Sequence, residues 1–353
     1  MKSVATVFIE GIFNGNWQNY VVEAKQRISA ASASVLVCNI CTDYFVIDAN
    51  KAVLNAFLDA VREQGVTTVL IFNPAYQVQD LSGIRADTVE FVNFHLWRAY
   101  NEIINKKQCA VNPKWNRNAK DFLFLTGKPD RVHRLRLLWK LSQQGMLDRC
   151  CWSFWYNKHN IDELARLVPE IDSDELPHLL DAWVRNPDSI DMQQRGTSFH
   201  YCGLPYDVTL FSNSKFRLIS ESIFGNHFPA APENYWLGEK TYITLFNRVP
   251  WIIAGQPGSL QWLSSQGYAT FESQLTCQYD TVLDQEQRLD QVVANAQFWM
   301  ANMPDPDLVE QQVEHNFYHA LDQAKQNETM LRNLIRCLDL NAQPDQIVPT
   351  VDK

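Results

Sequence analysis

Short apolar runs and one amphipathic stretch organise the first part of the chain. Apolar runs at 4–10, 34–40 and 66–72 predict buried strands, because each is short and the first and last are followed by turn residues. Between the second and third runs, 51–64 carries apolar residues at spacings of three and four, which predicts a helix. Alternation of strands and helices is typical of an α/β domain with a parallel sheet.

The same alternation returns after a break in the pattern. Residues 109–120 have no clear periodicity and contain Pro113, so we interpret them as a linker or a surface excursion. Residues 161–184 are helical in pattern but acidic and interrupted by prolines, which indicates an insertion over one edge. The remaining patterns predict strands at 121–125, 149–154, 216–220 and 250–253, and helices at 131–144, 239–246 and 259–266. They indicate a second α/β domain.

The C-terminal part of the chain has a different pattern. Residues 285–303 and 306–340 carry apolar residues at spacings of three and four and are separated by Pro304 and Pro306. Two helices are therefore predicted after the last strand.

Composition is that of a folded α/β protein. A chain of 353 residues with 46% hydrophobic content can bury one large or two medium cores, and its length favours two domains. No signal peptide is recognisable, and no run approaches the ~18 apolar residues of a membrane span. The eight cysteines, including the adjacent Cys150 and Cys151, are scattered and do not form the framework of a secreted domain. We therefore expect a cytoplasmic protein.

The net charge of −9 is unevenly distributed along the chain. Residues 106–149 hold 11 Lys and Arg against 3 acids, a net charge of +8, whereas 281–353 hold 5 basic and 12 acidic residues, a net charge of −7. The basic segment either meets an anion or is simply a solvated face of one sign. Because this segment surrounds a predicted turn from strand to helix, both interpretations stay open.

The basic turn after the strand at 121–125 is the first candidate binding element. Thr126 and Gly127 make the turn, and Lys128, Arg131 and Arg134 lie around the start of the next helix. Cations are unfavourable at a helix N-terminus, whose N–H groups favour an anion, so a bound diphosphate would account for them. Ordinary exposed basic residues are the alternative. For His133, a neutral hydrogen-bond donor and a surface residue without a role are both open.

The second candidate element is the helix start at Glu239 and Lys240, which Gly238 precedes. The carboxylate suits a ribose diol and the ammonium suits phosphate oxygens, provided that both side chains face solvent. The alternative is a favourable first-turn Glu beside a solvated Lys. Ser220 and Glu221 end one predicted strand and Gly255 follows the next. In a parallel sheet these strand ends meet at the carboxyl edge, where ligands bind.

No metal site is predicted from the sequence. Asp172 and Asp174 are better explained as a helix cap, and Cys38 and Cys41 lack a second pair of ligands. His315 and His319 share a helix face with no third ligand in the pattern, which indicates a solvated surface.

Residues 121–149 and 216–280 resemble the donor-binding domain of GT-B-type glycosyltransferases of bacteria and large phages. The nearest pattern is the fucosyltransferase-like one, in which a strand ending in Glu is followed by a Thr-Glu-Lys helix start. The resemblance implies that Glu221, Glu239 and Lys240 hold a nucleotide sugar. It implies that the basic residues of the first turn contact its phosphates. This chain departs from the pattern at Gly238, where Thr is usual.

The resemblance also implies an architecture of two Rossmann-like domains facing across a cleft, with C-terminal helices. The implied domains are 1–112 for the acceptor and 113–303 for the donor, with helices at 304–353 packing back across both. The implied reaction moves a sugar to an acceptor hydroxyl without a metal or cofactor. The acceptor could be a glycan, a small molecule or modified DNA.

If the reaction inverts the sugar, a carboxylate at the end of an N-terminal strand should deprotonate the acceptor. Glu10 and Asp43 are the candidates by position. Two alternatives stay open, both using the basic segment 106–149. One is a phage-type enzyme that glycosylates a hydroxylated base in DNA, and the other is a nucleic-acid-binding protein without catalysis.

Overall fold

A computed structural model describes the chain in segments. The described residues are 2–9, 17–40, 47–73, 83–91, 96, 99–105, 120–126, 131–154, 165–166, 168–171, 176–178, 200–201, 204–205, 208–222, 224–225, 235 and 237–337.

Backbone contacts divide the chain into two compact units. The first comprises Met1–Tyr100, Ala231–Trp236 and Asp322–Asp352, and the second comprises Asn101–Ala230 and Leu237–Leu321. The domain boundaries expected from the sequence stay a prediction.

The first unit is built on a four-stranded parallel sheet. Its strands are β1 (Val4–Ile9), β2 (Val35–Ile40), β3 (Thr68–Asn73) and β4 (Thr88–Phe91), and they lie side by side in chain order. Helices α1 (Trp17–Ala31) and α2 (Ile47–Arg62) connect the first three strands. Leu36, Val69 and Phe57 are buried in the core between sheet and helices. Burying such apolar faces is what stabilises a parallel sheet.

The second unit contains another four-stranded parallel sheet and a short antiparallel ladder. The strands of the sheet are β5 (Lys120–Thr126), β6 (Cys151–Phe154), β9 (Ser214–Ser220) and β10 (Trp251–Ala254). The ladder joins β7 (His200–Tyr201) to β8 (Leu204–Pro205). The order across the sheet is β10, β9, β5, β6.

The helices of the second unit follow its strands. They are α3 (Val132–Gln143), α4 (Val208–Ser212), α5 (Glu239–Phe246), α6 (Ser259–Ser265), α7 (Gln285–Ala301) and α8 (Pro306–Cys337). Single turns lie at Leu147–Arg149 and Glu272–Gln274, and a π-helix lies at Tyr100–Asn105. The residues of α8 belong to the second unit up to Leu321 and to the first from Asp322.

Strand order in the second sheet reverses between β5 and β9. From β5 the chain continues to its neighbour β6 on one side, and from β9 it continues to β10 on the other side. Helices α5 and α7 lie on opposite faces of this sheet: Arg217 of β9 donates to the carbonyl of Lys240 in α5, while its neighbour Phe216 contacts Trp299 of α7. The connecting helix α3 packs with α7, where Nζ of Lys140 lies 2.7 Å from Oδ1 of Asp290. Such a reversal is a topological switch point, and it opens a crevice at the carboxyl ends of the two strands.

The predicted α/β class with parallel sheets is confirmed. Helix α5 has the bounds expected from the sequence, and most other elements differ by one to three residues. Helix α1 and strand β4 were not predicted. The facing of two domains across a cleft stays a prediction. None of the helices within the described residues combines the length and apolar character needed to cross a bilayer.

Candidate functional site

The candidate site lies at the switch point of the second sheet. Ser220 is the last residue of β9, and Glu221 and Ser222 follow it. The Nε2 atom of His133 lies 2.9 Å from the carbonyl oxygen of Glu221, and Nη2 of Arg134 lies 3.4 Å from Oγ of Ser222. Both His133 and Arg134 stand in the first turn of α3, so the segments that follow β5 and β9 meet here.

These contacts assign a role to His133. A carbonyl oxygen only accepts, so Nε2 of His133 carries the proton and donates it. The imidazole stacks on Phe224 at a centroid distance of 5.1 Å, and the guanidinium of Arg288 lies 4.1 Å from the centroid of the same ring. Of the two interpretations left open by the sequence, hydrogen-bond donation fits this geometry.

The carboxylate of Glu221 is committed to the start of α5. Its Oε2 accepts the backbone N–H of Gly238 at 3.0 Å, and its Oε1 accepts the hydroxyl of Thr241. The residue is fully buried. Burial raises the pKa of Glu221, and the nearby charge of Lys240 and the two hydrogen bonds only partly oppose this effect.

Gly238 explains how the carboxylate approaches so closely. A Cβ atom at this position would lie 2.9 Å from Oε2 of Glu221, closer than van der Waals contact allows. Glycine at 238 therefore leaves the space beside the buried carboxylate that a Cβ atom would occupy.

Glu239 and Lys240 form an ion pair within the first turn of α5. Nζ of Lys240 lies 2.8 Å from Oε1 of Glu239. The side chain of Lys240 is 5% exposed and that of Glu239 is 13% exposed. The expectation that both residues face solvent is wrong for Lys240, because residues 240–246 of α5 are all buried. A cation this deeply buried needs a compensating anion, which Glu239 supplies.

The loop after β10 leads into α6, whose start is bound by Asp280. Gly255 follows the strand, and Gly258 has a φ of 82°, a left-handed conformation that favours glycine. The carboxylate of Asp280 accepts the N–H groups of Leu260 and Gln261, each at 3.0 Å. These two amides at the start of α6 are therefore already bound. Burial is the main cause that raises the pKa of Asp280.

Several predicted site residues are brought together and others lie outside the described residues. Arg134, Ser220, Glu221, Glu239 and Lys240 are described at or next to the switch point, and all but Glu239 are buried. Arg131 immediately precedes α3 and is partly exposed. Glu10, Asp43 and Lys128 lie outside the described residues, so their roles stay predictions.

Residues that the sequence did not single out complete the arrangement. Thr241 is the third residue of α5, where its hydroxyl can donate to an anion at the helix start. The spacing of Thr241 from Gly238 could therefore have indicated this role from the sequence. Asp280 gave no comparable signal, because the two amides that its carboxylate binds are 19 and 20 residues away in the sequence.

Part of the basic segment is neutralised within the second unit. The guanidinium of Arg136 forms ion pairs with Oε1 of Glu286, at 2.9 Å, and with Oε1 of Glu170, at 2.5 Å. Nζ of Lys140 lies 3.3 Å from Oε2 of Glu286 and 2.7 Å from Oδ1 of Asp290. Glu286 and Asp290 belong to the acidic C-terminal segment. These contacts favour neither the anion-binding nor the solvated-face interpretation for Arg136 and Lys140, since both residues serve the packing of α3 with α7.

No group of three or more metal-ligating side chains comes together in the part of the chain that the structure describes. His315 and His319 hydrogen bond to the carbonyl oxygens of Gly267 and Gln266, at 2.8 and 2.7 Å. Both imidazoles therefore satisfy the C-terminal end of α6, and the interpretation of a purely solvated face is incomplete.

Comparison with known proteins gives remote structural likeness alone. No family model and no curated protein matches the chain. A UDP-forming α,α-trehalose-phosphate synthase from Burkholderia vietnamiensis is 8% identical, with a TM-score of 0.45 and coverage of 93% of this chain and 79% of that one. An α,α-trehalose 6-phosphate synthase from Burkholderia multivorans is 9% identical, with a TM-score of 0.46 and coverage of 94% and 76%.

Proposed function

We propose that the chain is a glycosyltransferase that moves a sugar from a nucleotide-diphosphate sugar to an acceptor hydroxyl. The observation that carries this proposal is the switch point between β5 and β9, with paired charges at the start of α5 on one side and the first turn of α3 on the other. The fucosyltransferase-like resemblance of the same residues supports the reaction class.

The charges at the switch point suit the parts of such a donor. Glu239 is the more exposed member of its ion pair, and its carboxylate is a suitable acceptor for the hydroxyls of a ribose. Lys240 and Arg134 are suited to the diphosphate. Donor binding would then replace part of the attraction between Lys240 and Glu239 with attraction between Lys240 and phosphate oxygens.

The proposed reaction breaks the bond between the anomeric carbon and a phosphate oxygen and forms a bond to the acceptor oxygen. Negative charge accumulates on the departing diphosphate, and fixed cations stabilise it. The acceptor loses a proton to a base, for which Glu10 and Asp43 remain the proposed residues. We further propose that the first unit binds the acceptor and that no metal is needed.

A thermal-shift panel of UDP, GDP, ADP and CMP tests donor binding. One nucleoside diphosphate at millimolar concentration should raise the Tm, because a ligand that binds only the folded state stabilises it by mass action. If none of the four raises the Tm, the proposal is contradicted. Release of nucleoside diphosphate from the matching nucleotide sugar should persist in excess EDTA if the reaction is metal-independent.

Two lysine variants make the test specific. Lys240→Met removes the charge and keeps much of the apolar side chain, and it should abolish the nucleotide-induced shift. Lys325→Met at an exposed position of α8 is the matched control and should keep the shift. Equal shifts in the two variants would exclude Lys240 from the donor site.

A further inference from the structure

Glu221 is held at four of its atoms, and the contacts reach three different elements. Its carboxylate binds Gly238 and Thr241 at the start of α5. Its carbonyl oxygen accepts from His133 at the start of α3, and its N–H donates to the carbonyl of Ala254 at the end of β10, at 3.0 Å. One residue therefore ties together both helix starts that flank the switch point.

The same contacts leave the carboxylate inaccessible. Glu221 has no exposed surface, and Gly238 lies so close to Oε2 that even a methyl group would not fit between them. Glu239, in contrast, keeps 13% of its side chain exposed. Glu239 therefore keeps surface that a ligand can contact, whereas the carboxylate of Glu221 has none.

We infer that Glu221 is a positioning residue, which holds the first turns of α3 and α5 in place and does not itself touch the donor. The inference rests on the proposed nucleotide site and changes the role that the family resemblance implies for Glu221. Recognition of the ribose then falls to Glu239. Glu221 acts through Lys240 and His133, whose helix starts it fixes.

Discrimination between a ribonucleotide and its 2′-deoxy analogue separates the two roles. The nucleoside diphosphate that stabilises the wild type is compared with its 2′-deoxy form by calorimetry, in Glu221→Gln and in Glu239→Gln. Gln at 221 can still accept from Gly238 and donate to the oxygen of Thr241, so the helix start is kept. We expect Glu221→Gln to retain the wild-type affinity ratio and Glu239→Gln to bring the ratio close to one.

A direct contact between Glu221 and the ribose would give the opposite result. The ratio would then fall to about one in Glu221→Gln and stay at its wild-type value in Glu239→Gln, which would overturn the inference. Glu221→Ala, which cannot bind Gly238 or Thr241, should weaken both nucleotides by about tenfold or more, in line with the loss of hydrogen bonds to a charged group.

Hydrogen exchange tests the same role without a nucleotide. In Glu221→Ala the amides of 238–242 should exchange about tenfold faster or more, because the variant loses both carboxylate contacts. The amides of 131–135, which His133 ties to the backbone carbonyl that the variant keeps, and both segments of Glu221→Gln should stay close to the wild type. Glu310→Ala, at an exposed residue of α8, is the control and should change neither segment. Unchanged exchange at 238–242 in Glu221→Ala would overturn the inference, whether or not the wild type binds nucleotides. If the wild type binds no nucleotide but the amides of 238–242 exchange faster in Glu221→Ala, the proposed function is contradicted and the positioning role of Glu221 is not.

Discussion

At the scale of single residues, Lys240 and Glu221 differ in how their charge is compensated in a buried position. Both are buried charged groups next to one another at the start of α5. Lys240 has a carboxylate partner in Glu239, whereas Glu221 is bound by an uncharged N–H and an uncharged hydroxyl. Desolvation is therefore the main cause that raises the pKa of Glu221.

The raised pKa of Glu221 predicts a pH dependence of stability. The folded state binds the proton of Glu221 more tightly than the unfolded state, in which the pKa is about 4.3. This contribution to stability is fully present below that value and is lost as pH rises through the folded pKa. Each unit of increase in the pKa corresponds to about 1.4 kcal/mol.

Urea unfolding of the wild type and of Glu221→Gln at several pH values measures this contribution. The free energy of unfolding of the wild type, relative to Glu221→Gln, should fall as pH rises above about 4. Glu310→Gln is the control for loss of an exposed charge. A difference between wild type and Glu221→Gln that grows with pH would contradict the prediction.

At the scale of elements, two helices of the second unit are capped by aspartates in different environments. Asp280 binds two amides of α6 from a buried position, and Asp284 accepts the N–H of Gln287 at 2.8 Å at the exposed start of α7. Asn is a good substitute for Asp at an exposed cap. At Asp280, where each carboxylate oxygen accepts a different N–H, the NH2 group of Asn would replace one of these oxygens and cannot accept.

The two caps should therefore respond differently to the same substitution. Asp280→Asn should lower the free energy of unfolding by about 1 to 3 kcal/mol, because one buried N–H loses its acceptor. Asp284→Asn should change it by less than about 0.5 kcal/mol. Urea unfolding followed by circular dichroism measures both variants. Equal losses in the free energy of unfolding would contradict the prediction that the buried cap depends on both carboxylate oxygens.

The long helix α8 contributes residues to both units, up to Leu321 in the second and from Asp322 in the first. In the second unit, Asn316 binds the N–H and carbonyl of Ala269, at 2.7 and 2.9 Å, and Phe317 packs under the guanidinium of Arg248. In the first unit, Ala324 and Leu331 are fully buried. Buried apolar area and paired backbone groups are both lost if the helix is removed.

Truncation after Met303 should therefore destabilise both units. Hydrogen exchange should become faster in β2 of the first unit and in β9 of the second. Two point variants separate the effects. Leu331→Ala should destabilise the first unit and Asn316→Ala the second, and each should lower the free energy of unfolding by up to about 4 kcal/mol. A truncated chain with wild-type exchange in either sheet would contradict this support.

Helix α1 and strand β4 mark the limit of what local pattern predicts. The buried face of α1 is formed by Val21, Ala24 and Ile28. Its hydrophobic periodicity is weak, because this face includes a small residue and the rest of the segment is largely polar. Strand β4 has four residues, too few for a reliable alternation, and it is defined by its pairing with β3.

The sequence by itself determined the order of strands and helices, the start of α5 at Glu239 and the cluster of polar residues after β9. These depend on local periodicity, turn residues and helix-start preferences, which act within a few residues of the chain. Only the tertiary structure decided the reversal of strand order, the burial of Lys240 and the partners of Glu221 and Asp280. Desolvation and hydrogen bonding depend on segments that are distant in sequence, and packing alone brings these segments together.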